Sequence, residues 1–478
     1  MDELRILIAR LGWPSISARW WAMQELAARL GEPDSRVETA LLQLLSSCKL
    51  EAEVVEILCI FWMATQAHGY SPALNLPENI PRTSILSEMI LKSIGFLPER
   101  DAGGLEEVPD GFEIPQDFNG VQGSDLPRIF RTSMGKLEKQ TRLPFVRQMA
   151  FEWGANRDSN PDAPFQGDPW YFLRPLGDGF IGQLSSRAAL RAISAYLRTL
   201  VVAEELWDIP TKMAEKWSLL ALPVHPSLAF LRPRRPAWFP RRTDFDGDTE
   251  EFEESLRSLV DRVRSAGSGE ELIAFSSPIV MSMERCVEVS VVRWLQSADS
   301  HIADSEVSAH LDDFWTSGRM LPSSTPGSLS TTSLLALPNL DGLIDMKCKA
   351  WPLAVPLGLE RLGYLQHDLY PGRLFLPTQP ASCMAELLPR DGGLEVKVDT
   401  RVIADLCYWN AGWGAVRPMQ FSGNCGTALT SRGTIYREKP LGMSGKVRSF
   451  FLWQVRTLQR EGRHDQFKET LASGAMYV

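Results

Sequence analysis

The chain has 478 residues, 44% of them hydrophobic and 23% charged, with a formal net charge of −9. At roughly 100–200 residues per domain this is a folded chain of about two to four domains, and its composition excludes general disorder. The acidic balance weighs against a protein built mainly to grip nucleic acid, which usually carries a basic domain.

Other compositional signals narrow the class further. The most apolar run, Val54 to Ala64, is too short to cross a bilayer as a helix. The opening "MDELRILIARLGWP" carries acids where a secretion signal carries basic residues. The seven cysteines are scattered and form no C-x-x-C pair, so neither a disulfide framework nor a zinc site is suggested. The expectation is a cytoplasmic protein without membrane, metal or cofactor, its thiols acting as small buried apolar groups.

Residues 1–100 read as short helices. Pro14 suits a first helical turn, and Ala18, Trp21, Ala22, Leu26 and Leu30 follow at spacings of three and four until Gly31 stops them. Asp34 and Ser35 restart the pattern, with Glu38 as a capping-box signal. Further runs cover Glu51–Ala64 and about Ser84–Ile94. Apolar faces this broad have to stack in pairs. A Gly-, Pro- and acid-rich boundary at 101–124 precedes a second helical region at 125–265. This region holds patterns at Leu126–Trp153, from Ser185 to Val201, and at Thr211–Leu222.

Near residue 268 the period changes. In "CVEVSVV" Val287, Val289 and Val291 share one face, which reads as a half-buried strand, and "DGGLEVKVDT" alternates in the same way. Short strands through Tyr436 and a last helix at about Lys446–Arg460 complete a region, 268–478, of antiparallel α+β type. The predicted fold class is therefore α+β, mostly helical at the front and β-rich at the back. Within the second region, 317–351 begins as a Ser/Thr/Pro/Gly linker. It then carries Leu334, Leu335, Leu337, Leu340, Leu343, Ile344 and Met346 before Lys347. A flexible tether followed by an apolar strand is the form a protease needs in its substrate.

No motif carries convincing chemistry. "LRPRRPAWFPRR" sets Arg234 and Arg235 near Trp238, an arrangement that can hold a nucleic-acid strand. The acidic "DFDGDTEEFEE" that follows cancels the charge, so direct nucleic-acid binding is not expected. The same acidic stretch lacks the Gly and Glu of a calcium loop, with Thr249 and Ser255 in their places. His301 and His310 are spaced badly for a shared metal. "GMSGKV" fails as a phosphate-binding loop. Cys425, between glycines in "SGNCGT", could act as a hydrolase nucleophile if His367 or His464 lay beside it. The fifteen Trp favour core edges and partner surfaces, most of them core, and Trp20, Trp21, Arg234, Arg235 and Trp238 are the candidate partner-binding residues.

Two resemblances bear on function. "WPSISARWWAMQELAARL" resembles a HEAT-type repeat through Pro14, Arg19, Ala22 and Leu26, which implies an α-solenoid binding surface. The whole arrangement also resembles another family. A helical front, a linker, and a β-containing tail after Met346-Lys347 look like the protein substrate cut by the caspase-like protease of type III-E CRISPR systems. That resemblance implies a non-enzymatic component of antiviral defence, cut between Met346 and Lys347 to release an N-terminal effector part. Its implied partners are the protease complex and a sigma factor. The competing reading is a hydrolase using Cys425.

Overall fold

The computed structural model describes residues 3–13, 16–32, 35–97, 104–116, 118, 129–156, 187–239, 249–266, 269–280, 284–317, 326–330, 334–358, 363–365, 369–370, 372–390, 393–410, 425–432, 445–462 and 465–478. The helices are α1 (Glu3–Leu11), α2 (Ile16–Leu30), α3 (Ser35–Ser46), α4 (Glu51–Ala67), α5 (Ile85–Ser93), α6 (Ile129–Thr141), α7 (Phe145–Ala155), α8 (Arg187–Glu205), α9 (Thr211–Ser218), α10 (Thr249–Ser265) and α11 (Asp304–His310).

Local chemistry explains the helix limits. Ser84 and Ser87 cap α5 reciprocally, each hydroxyl accepting the other's backbone N–H at 3.2 and 2.7 Å. The predicted run 126–153 divides into α6 and α7, because Arg142 takes a left-handed φ of 65° just before Pro144. Helix α4 is buried on every side from Ala52 to Ala64 except at Glu53, so it forms the centre of the helical part.

The strands are β1 (Glu270–Val280), β2 (Arg285–Ser297), β3 (Leu334–Leu337), β4 (Ala350–Pro352), β5 (Ala354–Pro356), β6 (Phe375–Pro377), β7 (Cys383–Arg390), β8 (Gly393–Val398), β9 (Arg401–Asn410), β10 (Cys425–Arg432), β11 (Val447–Gln459) and β12 (Lys468–Tyr477). Ten of them form one sheet in the order β12-β11-β2-β1-β10-β9-β8-β7-β3, with β4 pairing to β2 beyond the end of β1; β5 and β6 pair separately. The ladders are antiparallel. The protein is thus α+β, with its helices mostly in the N-terminal part and an antiparallel sheet in the C-terminal part.

The sheet lies between two cores. Ile273, Val292, Trp294, Phe450 and Leu452 join a core that continues into α1–α9. Phe275, Val287, Val289, Val291, Phe451, Trp453 and Val455 face the other way, against Phe252, Leu256, Leu259 and Val263 of α10.

This layering corrects three expectations. Residues 446–460 form no helix but the strand β11, between β12 and β2. Phe451 and Val455 do share a face, yet Leu458 lies on the opposite one, because a strand covered on both sides reads as a nearly continuous apolar run. Strand β2 is not half-buried. Its valines do share one face, which meets α10, but Ser290 is covered too, with its hydroxyl 3.2 Å from that of Ser276. Nor is the described part of the 317–351 segment a free tether. Leu335, Leu337, Leu340 and Leu343 are buried, and β3 pairs with β7. Residues 318–325 and 331–333 lie outside the described residues.

Candidate functional site

Within the stretch 334–358 the chain reaches solvent at Ala336, at Asp341-Gly342 and at Met346-Lys347. Met346 is 73% exposed, and Lys347 is exposed beside it. They form the apex of a four-residue turn closed by paired backbone bonds, Asp345 N–H to Ala350 O at 2.8 Å and Ala350 N–H to Asp345 O at 3.2 Å. The Asp345 carboxylate accepts the Cys348 N–H at 2.7 Å. Lys349 takes the left-handed φ of 48° that turns the chain back. The turn is tied to the end of β2. Ser297 N–H donates to Lys349 O at 2.9 Å, and the Gln296 amide donates to Cys348 O at 3.0 Å. Lys349 Nζ lies 3.0 Å from the Asp299 carboxylate. Burial, then the nearby Asp345 charge, pushes the Cys348 thiol up to about 12, so this thiol stays protonated at neutral pH.

The arginine-rich arm has no regular secondary structure from Leu231 to Pro236. Arg234 is exposed, and its backbone N–H donates to Tyr408 O at 2.7 Å. The Arg235 guanidinium lies 5.7 Å from the Phe239 ring centroid. Trp238 is half-buried and meets Phe239 edge-on at 6.0 Å. Phe239 in turn packs on Trp409 at 4.5 Å. The Trp238-Phe239 end of the arm is therefore anchored to the α10 side of the sheet, and Arg232 and Arg234 are both exposed. Trp20 is 2% exposed and belongs to the core, so it presents no surface to a partner; Trp21 is partly buried.

Cys425 does not stand exposed in a glycine turn. It opens β10, is 4% exposed, and pairs with Asn410 across the sheet. Its carbonyl accepts the Ser277 hydroxyl at 2.6 Å. At Gly426 a Cβ would collide with the Trp409 ring and come within 2.9 Å of Ser276 O, so this glycine serves close packing rather than exposure. His367 and His464 lie outside the described residues, as do Asp244, Asp246 and Asp248. Among the described residues no three His, Cys, Asp or Glu side chains group so as to hold a metal ion, and no helix is long and apolar enough to cross a membrane.

Sequence reasoning missed the buried charges. Arg19 of α2, 2% exposed, pairs with Glu56 of α4, which also accepts the Tyr364 hydroxyl at 2.6 Å. Burial alone would lower the Arg19 pKa, but the charges of Glu56 and Tyr364 outweigh it and the net shift is upward. Tyr364 is pushed far up by burial and then by Glu56. Glu51 and Glu152 form a second buried set, with Arg82 at 3.8 Å from Glu51 and Arg198 at 3.9 Å from Glu152. Burial, opposed by Arg198, raises Glu152 to about 7. A signal was available: Glu51 and Glu56 interrupt the apolar run of α4, where a charge needs a partner.

No known protein family, no curated protein and no solved structure matches the chain. The geometry above therefore carries the functional argument by itself.

Proposed function

We propose that the chain is a non-enzymatic interaction protein that a partner protease cuts between Met346 and Lys347. The observation that carries this reading is the solvent-exposed Met346-Lys347 apex of a turn whose two ends are joined by backbone bonds and tied to the end of β2. Exposed loop tips are where nicking concentrates. The helices α1–α5 serve as HEAT-like pairs that present a binding surface, and the setting is bacterial antiviral defence. The cutting partner is a caspase-like protease complex, and the N-terminal part acts on a sigma factor. The burial of Cys425 in β10 supports the non-enzymatic reading over the hydrolase.

The sheet adds a condition to any release step. Cutting after Met346 assigns β1, β2 and β3 to the first fragment and β4–β12 to the second. Strand β2 then lies between β11 and β1, β1 against β10, and β3 against β7. The fragments are interleaved, so the cut by itself produces a nicked, assembled protein, and separation is a second, partner-driven step.

Limited proteolysis with elastase and trypsin, read by intact mass, tests the reading. The first cut among the described residues is expected within 345–349. Met346→Pro and Lys347→Pro should suppress it, and Cys425→Ala should leave binding activity intact. A turn that survives while cuts appear elsewhere, or a function lost on Cys425→Ala, would sink the proposal.

A further inference from the structure

A cleft of about 310 Å³ opens where α2 and α4 meet the arm and the end of β7. Its apolar lining comes from Ala27, Met63, Ala67 and Phe230, and its mouth carries Arg232 and Arg390. The volume is at the lower end of the range for small-molecule sites.

The walls are fixed in advance. Gln24, 5% exposed, donates its side-chain amide to both Ala229 O at 2.7 Å and Leu231 O at 3.0 Å, which clamps the arm onto α2. Gly31 lets the end of α4 approach α2. A Cβ there would fall 2.7 Å from His68 Cβ and 2.9 Å from His68 O. Trp62 backs Phe230 at 6.0 Å.

The charge at the mouth is uneven. Arg232 is exposed and spends one N–H on Gln24 O at 3.3 Å. Among the described residues no carboxylate pairs with it, and a guanidinium has five donors to place. Arg390 is held by Glu395, which Arg432 also contacts at 3.1 Å, and Asp405 faces Arg432 at 2.5 Å. Arg390 and Arg432 thus share the carboxylates of Glu395 and Asp405, with Glu270 close to Asp405, while Arg232 stands apart from them. At the lip, partial burial and then the Arg232 charge lower the His68 pKa and favour its neutral form.

We propose that this cleft binds a small amphipathic organic anion, its apolar body on Met63, Ala67 and Phe230 and its carboxylate or phosphate head on Arg232, with Arg390 beside it. Charge complementarity selects the head, and the apolar part of the lining selects the body. The proposal is independent of the cleavage reading, since no lining residue belongs to the Met346-Lys347 turn.

The test uses the full chain and the fluorescent probe 1-anilinonaphthalene-8-sulfonate, with octanoate, octyl phosphate and octanol as competitors. One saturable site is expected, displaced by octanoate, octyl phosphate or both, and far less by octanol. Displacement by only one anion identifies the head. Arg232→Ala should weaken the anions by about tenfold or more while leaving octanol unchanged. Ala67→Trp, at an exposed helical position lining the cleft, should block the site without unfolding the protein, as checked by an unchanged urea midpoint. The proposal is overturned if no saturable binding occurs, if neither anion competes, if octanol competes as well as they do, or if both substitutions leave binding unaltered. Should Arg232→Ala fail to fold, Ala67→Trp and Arg390→Ala decide the matter alone.

Discussion

The Arg19–Glu56–Tyr364 cluster ties the central helix to the chain that precedes β6, and its removal has a calculable cost. Glu56→Ala deletes the acceptor of both partners. Arg19, 2% exposed, would then hold a buried charge with its partner gone, which costs about 3–5 kcal/mol. The Tyr364 hydroxyl would lose its acceptor at a further ~1–3 kcal/mol. The two losses share one residue and do not add fully, so about 4–6 kcal/mol is expected. That is a large part of the ~5–15 kcal/mol that holds a folded protein together. Replacing all three groups by apolar ones (Arg19→Met, Glu56→Leu, Tyr364→Phe) removes the desolvation cost along with the attraction and should return stability to within ~2 kcal/mol of the natural protein. The assay is urea unfolding at pH 7 followed by tryptophan fluorescence, with and without 1 M salt; a buried pair is poorly screened, so salt should change little. A single substitution costing under ~1 kcal/mol, or a triple variant as unstable as the single one, would refute this account.

Three further outcomes follow from the same geometry. A protease site of eight residues placed between Met346 and Lys347 should cost only ~1 kcal/mol of loop-closure entropy. After cutting, the fragments should still elute together from a sizing column; separate peaks in native buffer would contradict the interleaved sheet. Glu152 has a folded pKa of about 7 against an ordinary 4.5, so the folded state binds more protons between those values. Stability should therefore fall as pH rises through that window, by up to ~3 kcal/mol. Glu152→Gln should flatten the decline between pH 5 and 8 in thermal melts. Gly31→Val should separate α2 from α4 at His68 and lower stability by about 1–3 kcal/mol, while a melt equal to that of the natural protein would show that the corner yields freely.

The sequence makes the local elements legible where one periodicity dominates. The helices around Ala22, Leu41 and Ile193 and the strands at Val289 and Val396 fall where their spacing puts them. It fails where a segment is covered on both sides. Strand β11 has apolar residues facing two cores, and a run with no polar face fits either period. The packing of Leu335 and Leu337 was hidden for another reason: nothing in a linker-like composition tells which distant strand, here β7, accepts the segment. The Met346-Lys347 dipeptide is named through a family resemblance, and its exposure is not legible, because the turn depends on Asp345 and on the end of β2. The cleft could not be found at all from spacing. Gln24, Phe230 and Arg390 are brought together only by the tertiary fold.

The interleaved order of the sheet also has a consequence for how the chain is made. Strand β2 meets β11 only through residues such as Ser449, which bonds Arg293 from 156 positions further along. At ribosomal speeds of roughly 5–20 residues per second, the β1–β2 hairpin leaves the ribosome and waits some ten to thirty seconds before both of its neighbours exist. During that interval Val287, Val289, Val291 and Trp294 stand beside open strand edges, the condition under which nascent chains aggregate. Helix α10, made just before β1 and apolar along the face that meets these valines, is available throughout. In the folded protein it covers the valine face of the hairpin and not Trp294, which faces the other core.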